Sequence, residues 1–177
     1  QDAKSLRQRF DALPMADYLQ ALLENTDDYI YFKDRNHVFT GASQTLVTLT
    51  KPAEHWTDLL GQTDYDVFPE KYADIYYQLE KQVFAGVPVA HEVQEILIKG
   101  ERKGWVDNRK YPIRDASGEI IGLFGIARDI TEQKTMEDAL SESEKRFRSI
   151  FEQVPSISVQ GYDKERKVIF WNEASEQ

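Results

Sequence analysis

The run Ile120–Ile130 constrains this chain more than any other stretch, because it passes without a break from strand character into a charged helix. Ahead of it, Asp115-Ala116-Ser117-Gly118 reads as a turn, with Gly118 able to take a positive φ that side chains resist. The run itself is apolar almost throughout, with Gly122, Gly125 and no proline. That predicts a central or well-covered strand whose glycines leave room on one side for a helix or a ligand. At Asp129-Ile130-Thr131 the period changes. Thr131 can cap the unpaired N–H groups of the turn that follows, and EQKTMEDALSESEKRFRSIFEQV continues as helix. A strand that feeds a long helix directly is a mechanical junction, and Asp129 and Thr131 are its candidate residues.

Upstream, four more strands can be read. Tyr29 to Lys33 is rich in aromatic and β-branched residues, and Asp34-Arg35-Asn36 turns it into His37 to Thr40 as a hairpin. Val87 to Ile98 and Trp105 to Ile113 flank a glycine-containing connection at Lys99 to Gly104. On the third strand Val89, His91 and Val93 share one parity, so His91 is the histidine that could reach a pocket. Between the second and third strands only helical signals remain: short candidates at Ser43–Leu49 and Pro52–Leu60, then Glu70–Phe84 with Tyr72, Ile75, Tyr76, Leu79 and Val83 on one face. Five antiparallel strands with helices packed on one face make an α+β domain of roughly 100 residues. Residues 1–21 precede it as helices interrupted at Pro14.

After the junction comes a helix at 132–153, and Met136, Leu140, Ser143, Phe147, Ile150 and the next residue past its end, Val154, fall at spacings of 4, 3, 4, 3 and 4, a heptad stripe with one polar member. The stripe predicts self-association of two chains in parallel through Met136, Leu140, Phe147 and Ile150; docking on the chain's own sheet is the alternative. The tail then repeats the head. Leu22-Leu23-Glu24-Asn25 before YIYFKDRNHVFTGAS aligns with Ile150-Phe151-Glu152-Gln153 before SVQGYDKERKVIFWNEAS. Residues 154–177 therefore read as the start of a second copy, cut off after its first hairpin.

Composition removes several classes of function. A formal charge of −9 gives no basic footprint for nucleic acid. There is no cysteine, which excludes thiol chemistry and thiolate metal sites. No apolar run approaches the roughly 20 residues of a membrane span, so the segment is expected to be cytoplasmic, without membrane contact of its own and part of a longer polypeptide. All three histidines, His37, His55 and His91, read first as surface or rim residues. Asp27-Asp28, Asp64 with Asp66, and Glu92 with Glu95 read as caps and solubility charge rather than a catalytic pair. With no nucleophile, metal cluster or phosphate loop, no enzyme is expected in this segment.

Three groups of residues resemble a known family: Tyr31-Phe32-Lys33-Asp34, Thr63-Asp64-Tyr65-Asp66-Val67-Phe68-Pro69, and Trp105 to Ile113 continuing through Asp115, Gly118, Gly122 and Gly125-Ile126-Ala127-Arg128-Asp129-Ile130-Thr131. The chain is similar to PAS domains with a C-terminal PAC segment over residues 22–131, followed by the start of a second such domain. Its closing Arg-Asp-Ile-Thr is like that of sensor histidine kinases and diguanylate cyclases. One departure is Gly41-Ala42-Ser43 after the second strand, where asparagine is common; the second copy has Asn172. The resemblance implies a cavity between sheet and helices, with Tyr31, Phe39, Tyr76, His91, Trp105 and Phe124 as candidate lining and Asp129 as a hinge reporting the cavity to the helix. It implies a sensory and dimerisation module with an output domain in the same polypeptide, a histidine kinase first and a diguanylate cyclase second. The remaining alternative is a ligand-free scaffold, which a cavity no larger than a water would favour. No cofactor is expected. Flavin photoadduct chemistry needs the missing cysteine, and haem usually takes a histidine on the long helix, where Glu70–Phe84 has none. An unidentified small-molecule ligand remains open.

Overall fold

The computed structural model describes residues 7–8, 10–50, 52–98, 102–152, 158 and 160–171. Residues 1–6, residues 99–101, Val154 of the heptad stripe and Asn172, each assigned a role above, lie outside them. The chain divides into two compact units after Ile130.

In the first unit, β1 (Tyr29–Asp34), β2 (Phe39–Ala42), β3 (Ala90–Ile98), β4 (Arg102–Arg114) and β5 (Ile120–Asp129) form one sheet in the order β2-β1-β5-β4-β3, antiparallel throughout. The apolar glycine-containing run is therefore the middle strand. Its register sets the inner face. Tyr31 lies opposite Gly125, and Gly125 opposite Lys110. Since side chains alternate along a strand, Tyr29, Tyr31 and Lys33 share a face with Leu123 and Ala127 and with Val106, Asn108 and Lys110. A Cβ at Gly125 would fall inside the Tyr31 ring, so the missing side chain makes the space that ring occupies.

The inner face is covered by the β2–β3 connection. Its first two pieces are tight 3-10 turns, Gln44–Leu49 and Trp56–Leu59, rather than the α-helices expected at Ser43–Leu49 and Pro52–Leu60. Thr45, Val47 and Thr48 are β-branched, which disfavours a sustained helix and suits short 3-10 pieces. Ser43, fully buried, hooks this cover to β1: its hydroxyl donates to the Asp28 carbonyl and accepts from the Ile30 amide. A single helical turn, Asp64–Val67, follows, closed by reciprocal bonds between Thr63 and Asp66. The Glu70–Phe84 helix buries Ala73, Tyr76, Leu79, Glu80 and Val83. The face is close to the expected one but includes a charge, and Tyr72 and Ile75 lie at its margin. Pro14 sits at the N-cap of the Met15–Asn25 helix, which buries only Leu23.

In the second unit, Thr131–Glu152 is one 22-residue helix, and β6 (Gln160–Tyr162) pairs with β7 (Val168–Trp171). One five-residue turn recurs three times. In Asp34–Val38, Asp115–Glu119 and Asp163–Lys167 the leading aspartate accepts backbone N–H bonds from the third and fifth residues, and the fourth has positive φ. Gly118 takes that conformation freely, whereas His37 and Arg166 do so at φ 65° and 63°. A side chain there costs about 1–2 kcal/mol.

Candidate functional site

Between the inner sheet face and the Glu70–Phe84 helix lies a cavity of about 30 Å³, walled by Tyr31, Phe39, Phe68, Tyr76, Asn108, Lys110 and Asp64 among others. That is room for about two waters.

Beside the cavity the sequence buries four charges. Lys33 and Lys110 are each 1% exposed, Glu80 1% and Asp64 4%. They come from β1, β4, the long helix and the single turn, so no local spacing announces them. Glu80 Oε1 accepts from Lys33 Nζ at 2.7 Å and from Lys110 Nζ at 2.9 Å. Its Oε2 meets His37 Nδ1 at 2.7 Å. Asp64 Oδ2 lies 2.6 Å from Lys33 Nζ but makes no well-aligned hydrogen bond. Aromatic faces take up part of the cationic charge: Lys33 Nζ is 4.4 Å from the Phe39 ring centre, and Lys110 Nζ is 4.8 Å from that of Tyr31 and 5.3 Å from that of Tyr76.

Electrostatics separate the two carboxylates. For Glu80 burial favours the neutral acid, but Lys110 and Lys33 outweigh it and hold the pKa near about 2. For Asp64 burial wins over the same lysines, the charge of Glu80 adds to it, and its pKa is raised. Burial also pushes the Tyr31 hydroxyl well up, reinforced by the charges of Glu80 and Asp64, while its bond to Asn108 opposes. Tyr76 is raised by burial as well, and its hydroxyl accepts from Gln94 Nε2 at 3.0 Å. Gln94 Oε1 is buried with no partner among the described residues. No metal could be gathered here: among the described residues no group of three or more metal-ligating side chains is close enough. The arrangement offers fixed positive charge, hydrogen-bond donors and flat apolar walls, suited to binding rather than bond making.

Of the six lining candidates read from the sequence, Tyr31, Phe39 and Tyr76 border the cavity and His91, Trp105 and Phe124 do not. His91 lies opposite Arg109 on the outer face, its Nε2 2.7 Å from Asp107. Trp105 is 38% exposed, since its neighbours Val106, Asn108 and Lys110 set the inward parity of β4. Phe124 stacks on Tyr111 across the outer face, with ring centres 5.0 Å apart. On β3 the inward residues are Ala90, Gln94 and Ile96, so the valine parity points outward. Asp64 corrects the reading of its carboxylate as solvent-facing, and Asp66 alone is the cap. His37 is a rim residue as read, but one bound to the buried cluster.

At the end of β5, Arg128 donates twice to Asp28, at 2.8 and 2.7 Å, and the Ile130 amide donates to the Trp105 carbonyl at 2.8 Å. Asp129 is exposed opposite Val106, and Thr131 opens the helix. Met136, Leu140, Phe147 and Ile150 are all exposed in the single chain.

Residues 23–135 match the model of a family described as the PAS fold. The aerobic respiration control sensor protein ArcB of Escherichia coli K12 is 30% identical over 129 residues, 72% of this chain but 16% of that one. A diguanylate cyclase of Vibrio cholerae is 29% identical over 115 residues, covering 64% of this chain and 35% of the relative. This chain thus spans only a small part of both relatives. Among solved structures, the PAS domain of a Colwellia psychrerythraea protein superposes with TM-score 0.53 at 17% identity, over 67% of this chain and 98% of that one. Vibrio cholera VqmA in its ligand–DNA complex superposes with TM-score 0.59 at 22% identity, over 68% and 53%. Both superpositions show a shared fold.

Proposed function

The chain belongs to the PAS fold family, and from that membership we propose that it is a non-catalytic sensory module of a larger cytoplasmic signalling protein. A change in the cavity beside Lys33, Lys110, Glu80 and Asp64 passes along β5 into the Thr131–Glu152 helix and on to an output domain in the same polypeptide. The output is a histidine kinase, with a diguanylate cyclase second. Residues 22–131 are the PAS domain with a PAC segment that closes at Arg128-Asp129-Ile130-Thr131, and the helix stripe of Met136, Leu140, Phe147 and Ile150 joins two chains. Residues 154–177 begin a second PAS domain, a reading supported by the turn that Asp163–Lys167 shares with Asp34–Val38.

One observation carries this reading. The strand that borders the cavity at Ala127 is separated from a 22-residue helix by Ile130 alone. A shift of that strand has no loop in which to dissipate. Asp129 is the proposed hinge.

The test is the output of the full-length protein, wild type and Asp129→Ala, with and without stimulus, beside a melting curve of each. Lost regulation at nearly unchanged melting temperature supports the hinge. A normal response in the variant refutes it.

The ligand-free scaffold is favoured by a second observation: about 30 Å³ is far below the roughly 300–1,000 Å³ of drug-sized sites. The sensory reading therefore requires the cover over the cavity to move. The pieces that would have to part from the sheet are its 3-10 turns and single helical turn, which carry Leu46, Leu59 and Asp64 inward.

A further inference from the structure

Lys110 has bonding capacity that the fold leaves unused. Its ammonium is almost fully buried and lines the cavity, yet among the described residues only one of its three N–H donors finds an oxygen, Glu80 Oε1 at 2.9 Å. The aromatic faces of Tyr31 and Tyr76 take the remainder in part. A buried ammonium with donors to spare is costly unless something accepts from it. Lys33, by contrast, is held by both Glu80 and Asp64.

The four charges are unequal in strength of attachment. Glu80 is gripped by two lysines and a histidine, whereas Asp64 is held by one lysine and projects from a single helical turn. Asp64 also borders the cavity. It is the one acidic group positioned to leave.

We propose that the cavity, opened by movement of the turn that carries Asp64, takes a small aromatic molecule bearing one anionic oxygen, which Lys110 receives while the Asp64 carboxylate gives up its place. This deepens the sensory reading above and rests on it. The apolar body follows from the walls, because the cavity is bordered by the rings of Tyr31, Phe39, Phe68 and Tyr76, which meet in edge-to-face pairs. The single charge follows from balance. Two ammoniums face two carboxylates, so an added anion leaves one negative charge in excess unless Asp64 withdraws or takes a proton from solvent. Burial already favours its protonated form. The groups that bear on it are Lys33 and Tyr31 from β1, Lys110 from β4, and Glu80 and Tyr76 from the long helix. Anion binding is thus accompanied by uptake of up to one proton.

Benzoate and its neutral isostere benzamide are the probes, titrated into the 177-residue chain and followed by amide NMR shifts. Benzoate should bind at least about tenfold more tightly than benzamide, the difference between a charge-assisted and a neutral hydrogen bond. Its affinity should fall as pH rises through the raised Asp64 pKa, above which Asp64 competes as an anion. Lys110→Met should abolish the preference. Asp64→Asn should tighten benzoate at neutral pH and remove the pH dependence, and it keeps the test open if Lys110→Met fails to fold. Equal binding of the two probes, or benzoate affinity unchanged in both variants, overturns the proposal. Benzamide binding without benzoate overturns the anionic class and leaves cavity sensing standing. Failure of both probes, with no small molecule released on denaturing natively purified chain, removes both.

Discussion

Glu80→Ala should be the most damaging single substitution in the first unit. Glu80 is 1% exposed and serves Lys33, Lys110 and His37 at once. Removing it leaves two buried ammoniums facing only Asp64. Breaking a buried pair from one side costs about 3–5 kcal/mol. The electrostatics give a similar figure: lowering the carboxyl from 4.5 to about 2 corresponds to about 3 kcal/mol. Against a total stability of about 5–15 kcal/mol that is a large fraction, and a fall in melting temperature on the order of 10–20 °C. The direction with pH is fixed too. A depressed carboxyl pKa stabilises the fold above its unfolded value and loses that contribution as pH falls, here between about 4.5 and about 2. The raised pKa of Asp64 works in the opposite sense: its contribution is full below 3.8 and is lost as pH rises through its folded value. Asp64→Asn should therefore be neutral or stabilising at pH 7. Urea unfolding of the 177-residue chain, wild type and both variants, across pH reads all of this. A loss below about 1 kcal/mol in Glu80→Ala, as for a surface ion pair, would refute the buried cluster.

Gly125→Ala should cost about 1–3 kcal/mol, because its methyl group must displace the Tyr31 ring; an unchanged urea midpoint would show that the ring moves freely. Leu140→Glu with Phe147→Glu should convert a dimer to a monomer while the first unit keeps its melting transition, and unchanged mass by light scattering would end the proposed association. His91→Ala should alter stability by less than about 0.5 kcal/mol, as for an exposed outer-face residue, and a larger loss by urea unfolding would contradict its placement.

Much of the sheet could be read in the sequence because its signals are local. The glycine-marked run of β5, the turn at Asp115 and the aromatic first strand each declare themselves within a few residues. Tyr31, Phe39 and Tyr76 followed from that pattern. The errors came where distant packing decides. On β3, an edge strand, His91 and Val93, with Val89 just ahead of it, look like the buried parity, but the long helix covers the other face, so Ala90, Gln94 and Ile96 turn inward. Phe124 and Trp105 went wrong by the same one-residue ambiguity of parity. The buried charges were missed for a different reason. Lys33, Asp64, Glu80 and Lys110 are far apart in sequence, and each alone is a residue type almost never buried unless paired. Only their meeting makes them tolerable inside. The signal that could have exposed Glu80 was its position one turn from Tyr76 and Val83 on the buried helix face.

The coupling between cavity and helix can be measured on the chain itself, without knowing what fills the cavity. Asp64→Asn changes the charge of the cavity at a residue that does not touch β5 in sequence. Hydrogen exchange by mass spectrometry, compared between this variant and wild type, should change at least about fivefold at Ile126–Ile130 and in the first turn after Thr131, the scale of a coupling of 1–3 kcal/mol. Exchange that changes only around residues 63–67 and leaves the junction untouched would show that β5 carries no information from the cavity to the helix.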